Sequence, residues 1–185
     1  MHISGIFEKI EDKLFAVRIE NIGEEELAAK DELDKLLDKW KDVEWLARFF
    51  TAFRKDLLKF EPTMRVKDAI KQTIREAEKI YDHLIEISEN DKLDDLFRPL
   101  DNREESQPPY EFQKLKAKGV SRKSMLRLYA VKFRDWYIIS GGAIKLTDQM
   151  DSRPHLKTEL HKLTLVKKFL QEDEDAGSFV YLDIQ

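Results

Sequence analysis

The sequence predicts an α+β protein, with an antiparallel sheet of about four to six strands and an enlarged helical layer on one side. Three stretches carry this expectation. Ser124–Thr147 is the densest β signal in the chain: Met125, Leu126, Leu128, Tyr129, Ala130, Val131 and Phe133, a charged pair Arg134-Asp135, then Trp136, Tyr137, Ile138 and Ile139. β-Branched and aromatic residues broken by a polar pair mark a hairpin. Ile6–Glu20 reads as a second, smaller hairpin, and the stretch from Leu33 to Ser88 keeps a helical apolar period.

In the N-terminal hairpin, Glu11-Asp12-Lys13 forms the turn, and Asn21-Ile22-Gly23 ends the second arm. Alternation puts Leu14, Ala16 and Arg18 on one face of that arm and Phe15, Val17 and Ile19 on the other. Leu33, Leu36, Leu37 and Trp40 then recur at i, i+3, i+4 and i+7, the spacing of one helix face. Asp42 suits the N-cap of a second helix carrying Leu46, Phe49, Phe50, Phe53 and Leu57, which Glu61-Pro62 breaks. A third helix, about Val66–Ser88, carries Ile70, Ile74, Ala77, Ile80, Tyr81, Leu84 and Ile87.

Glu89–Pro109 is acidic, turn-rich and broken by prolines, so it reads as a connector, with Leu93, Leu96, Phe97 and Leu100 as possible surface anchors. After it the chain turns basic. Lys114, Lys116 and Lys118 alternate and share one face if the segment is a strand; in a helix or loop they do not. In the second arm of the main hairpin, Gly141-Gly142 points to a bulge or a close backbone approach. A last helix runs from about Arg153 or Pro154 to Leu170, with Pro154 in its first turn and Leu156, Leu160, Leu163 and Val166 as its apolar face. Ser178–Ile184 is either a closing edge strand or a tail. The expected organisation is residues 1–110 as hairpin, helical region and acidic connector, and residues 111–185 as a basic β module with its C-terminal helix.

Charge follows that division. The chain has a formal net charge of −4, but Glu111–Leu170 holds 14 Lys and Arg against 5 Asp and Glu, a net of +9 between acidic flanks. Such a module can bind polyanions, because Lys and Arg release counterions from phosphates; the bland reading is a solvated surface. With no cysteine, disulfides, thiolate metal sites and cysteine nucleophiles are excluded. The four histidines, His2, His83, His155 and His161, have no metal-ligand spacing, so neither metal nor cofactor is expected. No apolar run has signal-peptide or bilayer-spanning length, and the expectation is a cytoplasmic protein without membrane contact.

What remains is Lys, Arg, Tyr and His around a sheet. That set can cleave RNA without a metal: a base helps the 2′-hydroxyl attack phosphorus, cations stabilise the phosphorane, and an acid protonates the leaving oxygen. The order of a basic segment, a strand Leu126-Arg127-Leu128-Tyr129, a hairpin, a strand ending near Lys145 and a Leu-rich helix resembles the C-terminal half of the RelE/HigB-type toxin ribonucleases. The resemblance covers about Phe112–Leu170. It implies a toxin of a toxin–antitoxin pair acting on mRNA, at the ribosome or free of it, with a cognate antitoxin as partner. By it, Arg127, Lys145 and His155 are the catalytic candidates, and Lys114, Lys116, Lys118 and Arg153 the RNA-binding ones; Arg122 and Lys123 join the latter as members of the same basic segment. The helical half, Glu24–Asn90, has no counterpart in that family. The alternative is a non-catalytic nucleic-acid- or protein-binding module of the same fold.

Overall fold

The computed structural model describes residues 1–21, 30–101, 109–149 and 152–175. Its elements in chain order are β1 (His2–Ile10), β2 (Leu14–Glu20), α1 (Glu32–Lys41), α2 (Val43–Ala52), α3 (Arg54–Phe60) and α4 (Val66–Glu89). Then come α5 (Leu93–Leu96), β3 (Arg98–Pro99), β4 (Lys114–Lys118), β5 (Leu126–Phe133), β6 (Trp136–Ile144) and α6 (Pro154–Asp175). The six strands form one sheet in the order β1-β2-β6-β5-β4-β3. The fold class is therefore α+β, as the patterns predict, and the sheet draws strands from both sides of residue 110.

Both hairpins form where alternation places them. Asp12 and Arg134 take left-handed backbone at the turns, a conformation that Asp tolerates better than most residues. One pairing departs from the antiparallel expectation. β2 runs parallel to β6, with Leu14 opposite Tyr137, Phe15 opposite Ile138 and Ala16 opposite Ile139. The sheet is thus mixed, and β2 is buried on both faces, as a strand flanked by two others and covered on both sides must be.

The helices divide between the two faces. Leu33, Leu36, Trp40, Leu46, Phe50, Leu57, Ala77, Ile80 and Leu84 of α1–α4 pack with Leu14, Ala16, Leu126, Leu128, Ala130, Tyr137 and Ile139. On the opposite face Leu156, Leu163, Val166 and Leu170 of α6 meet Phe15, Val17, Ile19, Tyr129, Val131 and Ile138. Each large side chain buried in this way is worth about 1.5–3 kcal/mol. α1 and α2 are separately capped: the Asp31 carboxylate accepts from the Leu33 and Asp34 amides, and that of Asp42 from the Trp45 amide.

Three expectations are refined. The second predicted helix is two, α2 and α3, separated at Phe53. The acidic connector contains α5 and the two-residue β3, with Leu93 and Phe97 buried rather than resting on the surface. Ser140 is the extra residue of a bulge, since Tyr129 pairs with Gly141 and Ala130 with Ile139. The two following glycines let helices approach from opposite sides: a Cβ on Gly141 would collide with Glu159 of α6, and one on Gly142 would press on Leu36 and Trp40 of α1. Residues 22–23, residues 102–108 and the expected strand at Ser178–Ile184 lie outside the described residues.

Candidate functional site

β4 settles the open question about the alternating lysines. As a strand, it buries Leu115 and Ala117 against the α1–α4 side and turns Lys114, Lys116 and Lys118 to the face that carries α6. Arg127 and Tyr129 of β5 point to the same face, with Lys118 opposite Arg127 and Lys116 opposite Tyr129 in the antiparallel ladder. Lys145 follows β6 directly and keeps the register, its amide donating to the Met125 carbonyl at 2.7 Å.

α6 packs over β6 and β5 and leaves this part of the face open. The opening consists of two adjoining hollows of about 370 and 380 Å³. Lys116, Arg127, Lys145 and Asp148 line both; Tyr129, Leu100, Asp101 and Leu160 close one end, and Lys118, Phe60 and Thr147 the other. Four of the nine sequence candidates thus meet in one cleft, joined by Tyr129, which the sequence places in the core. It is both: the ring is buried and still borders the cleft.

Cations outnumber carboxylates in the cleft, with Lys116, Lys118, Arg127 and Lys145 against Asp101 and Asp148. Burial lowers the pKa of the Lys145 ammonium, and Arg127, Lys116 and Lys118 lower it further, against a smaller opposing pull from Asp148. Burial likewise lowers that of Arg127, which as a guanidinium stays charged. Among the described residues neither Arg127 nor Lys145 makes an ion pair; Arg127 donates from Nη1 to the carbonyls of Ser124 and Leu126, each at 2.7 Å. Like charges directly opposite on a ladder are destabilising. Lys118 and Arg127 are such a pair, and an anion between them removes the repulsion. Burial raises the Tyr129 hydroxyl's pKa, outweighing Arg127, so the phenol stays protonated.

The other candidates sit elsewhere. Lys114 donates to Thr164 of α6 at 2.8 Å, beside Lys167, at the far end of β4. Lys123 pairs with Glu61 at 2.7 Å, and exposed Arg122 lies in the same β4–β5 loop. Arg153 grips Asp56 of α3 with two hydrogen bonds, Nε at 2.6 Å and Nη2 at 2.7 Å. His155 is withdrawn from the cleft: its ring sits edge-on to Phe49 and Phe53, and Nε2 lies 3.1 Å from the Ile144 carbonyl. A carbonyl only accepts, so Nε2 carries the proton, and Nδ1 is a buried acceptor without a hydrogen-bond partner. Burial lowers the imidazole pKa, and the ring is neutral near pH 7.

Nothing in the sequence marked Asp148 or the Leu100–Asp101 wall as part of a site; Asp148 comes from the segment after β6, and the wall's place depends on β3 pairing with the edge of β4. Among the described residues no cluster of three or more His, Asp or Glu has metal-binding geometry, and no helix is long and apolar enough to cross a membrane. Compared with protein families, with characterised proteins and with solved structures, the chain finds no match in any of the three.

Proposed function

We propose that the protein binds RNA by its phosphate backbone in the cationic cleft and cleaves it without a metal ion, as the RelE/HigB-type toxin ribonucleases do. The observation that carries this reading is the convergence of Lys116, Lys118, Arg127 and Lys145 on one cleft, two of them without a carboxylate partner among the described residues. In this reading Arg127 stabilises charge on the phosphorane, and Lys116 and Lys118 hold phosphate oxygens. Attack of the 2′-hydroxyl on phosphorus forms a cyclic phosphate, and the released 5′-oxygen takes its proton from Lys145, the ammonium made more acidic by its surroundings. The hydroxyl proton passes to solvent, because the lysines that hold the phosphate are ammonium donors and accept none. A cognate antitoxin and the ribosome, as partners, belong to the same proposal.

A second reading, an RNA-binding module that does not cleave, is favoured by His155. With its imidazole packed between Phe49 and Phe53, the cleft lacks the side chain whose ordinary pKa suits proton transfer near neutrality. A filter-binding titration against salt, with the retained RNA run on a gel, separates the two. Four phosphate contacts give a slope of log affinity against log salt of about −3 for a single strand. Cleavage that disappears in Arg127→Ala/Lys145→Ala supports the ribonuclease. Retention without cleavage selects the binding module, and no retention by the wild-type protein removes both readings.

A further inference from the structure

Arg127 is held by a relay that begins in the helical half of the chain. Glu76 of α4 is buried, and its carboxylate accepts from the Ser124 hydroxyl and, at 2.8 Å, from Gln72 Nε2. The Ser124 oxygen in turn accepts from the Leu126 amide at 3.0 Å, a side-chain-to-backbone turn that fixes the path of Ser124-Met125-Leu126. The carbonyls of Ser124 and Leu126, set by that turn, are the two that hold Arg127 Nη1. Gly119, across the β4–β5 loop, makes room for the arrangement: a Cβ there would collide with the Ser124 oxygen and lie 2.7 Å from Glu76 Oε2.

This anchoring leaves a defined edge of the guanidinium. With Nη1 committed to carbonyls, Nε–H and Nη2–H make no protein hydrogen bond among the described residues, and these two form the parallel fork that accepts two oxygens of one phosphate. Resting on the RNA-binding reading above, we propose that Glu76, acting through Ser124, is a positioning residue that presents the Nε/Nη2 fork of Arg127 to a phosphate in the cleft. The added helical layer then belongs to the binding site, because α4 supplies the carboxylate that shapes the turn. Neither Glu76 nor Ser124 lines the hollows, so their effect on RNA passes through Arg127.

The experiment is a double-mutant cycle on full-length protein, read by fluorescence anisotropy of a dye-labelled single-stranded RNA at fixed salt. Arg127→Ala weakens binding about tenfold or more, as loss of a charge-assisted pair of hydrogen bonds does. Ser124→Ala weakens it severalfold in the wild-type background and by less than about twofold once Arg127 is already Ala. Glu76→Gln restores near-wild-type affinity, because the amide oxygen accepts from Gln72 and the amide nitrogen donates to Ser124, whereas Glu76→Ala does not. Circular dichroism melts accompany each variant. If Ser124→Ala does not fold, Gln72→Ala, which removes the other support of the Glu76 carboxylate, takes its place in the cycle with the same expected pattern. Additive effects of Ser124 and Arg127 overturn the positioning role while leaving RNA binding standing. Failure of the wild-type protein to bind RNA overturns both.

Discussion

Lys162→Met is the substitution whose cost the structure defines most closely. Lys162 of α6 lies 2.6 Å from Glu32 of α1 and 3.0 Å from Glu159 of α6, with side-chain exposures of 15%, 5% and 9% respectively. The cluster joins helices from opposite faces of the sheet, beside the glycine bulge of β6 and beyond the short stretch where β2 and β6 pair. Burial alone would lower the Lys162 ammonium pKa, but Glu159 and Glu32 outweigh it and the pKa is raised; burial raises the Glu159 carboxyl, which Lys162 only partly offsets. At an effective dielectric near 20 each contact is worth a gross attraction of about 4 kcal/mol, most of it spent on desolvating three ions. Removing Lys162 forfeits the attraction and leaves the buried Glu159 carboxylate without its cation, while Glu32 keeps Lys35 at 2.9 Å, a loss of about 3–5 kcal/mol. For a chain of this length that lowers the melting temperature by roughly 6–20 °C. Urea unfolding and calorimetry near pH 7.5 measure it.

The sign of its pH dependence provides the stricter check. In Lys162→Met the folded-state pKa of Glu159, already raised by burial, rises further above its unfolded value. Between those values the folded state binds more protons, so the deficit shrinks as pH falls toward the unfolded carboxylate range. The double variant Lys162→Met/Glu159→Gln recovers most of the loss, because the carboxylate left unpaired is gone while Glu32 keeps Lys35 at 2.9 Å. A deficit under about 1 kcal/mol, or one that is constant with pH, refutes the reasoning.

Three further outcomes follow from the same geometry. His155 has a folded pKa below its unfolded value, so its contribution is present above about 6.5 and is lost as pH falls through that range; the melting temperature declines from about pH 7.5 to 5.5, and His155→Phe flattens that segment. The lowered pKa of Lys145 makes RNA affinity fall with rising pH before the ordinary lysine range is reached, a limb that Lys145→Met removes in the same anisotropy titration. Arg153→Ala leaves the buried Asp56 carboxylate without its two-hydrogen-bond partner; chemical denaturation shows a loss of about 1–3 kcal/mol at neutral pH that narrows in acid, since Arg153 is the main cause holding the Asp56 pKa down.

Short-range periodicity made most of the elements legible. The hairpins, α1, α4, α6, the Asp42 cap and the glycine interruption follow from spacing that extends over a few residues. What escaped was set at long range or had no pattern to show. The break at Phe53 is silent because Phe49, Phe50, Phe53 and Leu57 keep helical spacing through it, with neither Gly nor Pro to mark it. α5 and β3 are too short to show a period. The parallel pairing of β2 with β6 joins residues over 120 positions apart, and apolar side chains on both faces of β2 reveal burial without naming the neighbour. The charged candidates divide for the same reason: composition puts Arg153 and Lys123 in the basic module, but their acidic partners, Asp56 and Glu61, come from the helical half.

That division bears on how the cleft works. Across much of the molecule, cations from residues 111–175 are matched by acids from α1 and α3, as in Lys162 with Glu32, Arg153 with Asp56 and Lys123 with the Glu61 cap of α3. Around Arg127 the helical half behaves differently. Glu76 comes close enough to favour the Arg127 charge, yet its carboxylate is taken by Ser124 and Gln72 and forms no ion pair with the arginine. An acid that bonded the fork directly would satisfy the charge and close the site. One that holds the turn leaves the guanidinium oriented with its fork unmatched, next to Lys118 across the ladder. Uncompensated like charge costs stability, and the simplest physical account of its persistence in an otherwise closely paired protein is that an external anion completes it.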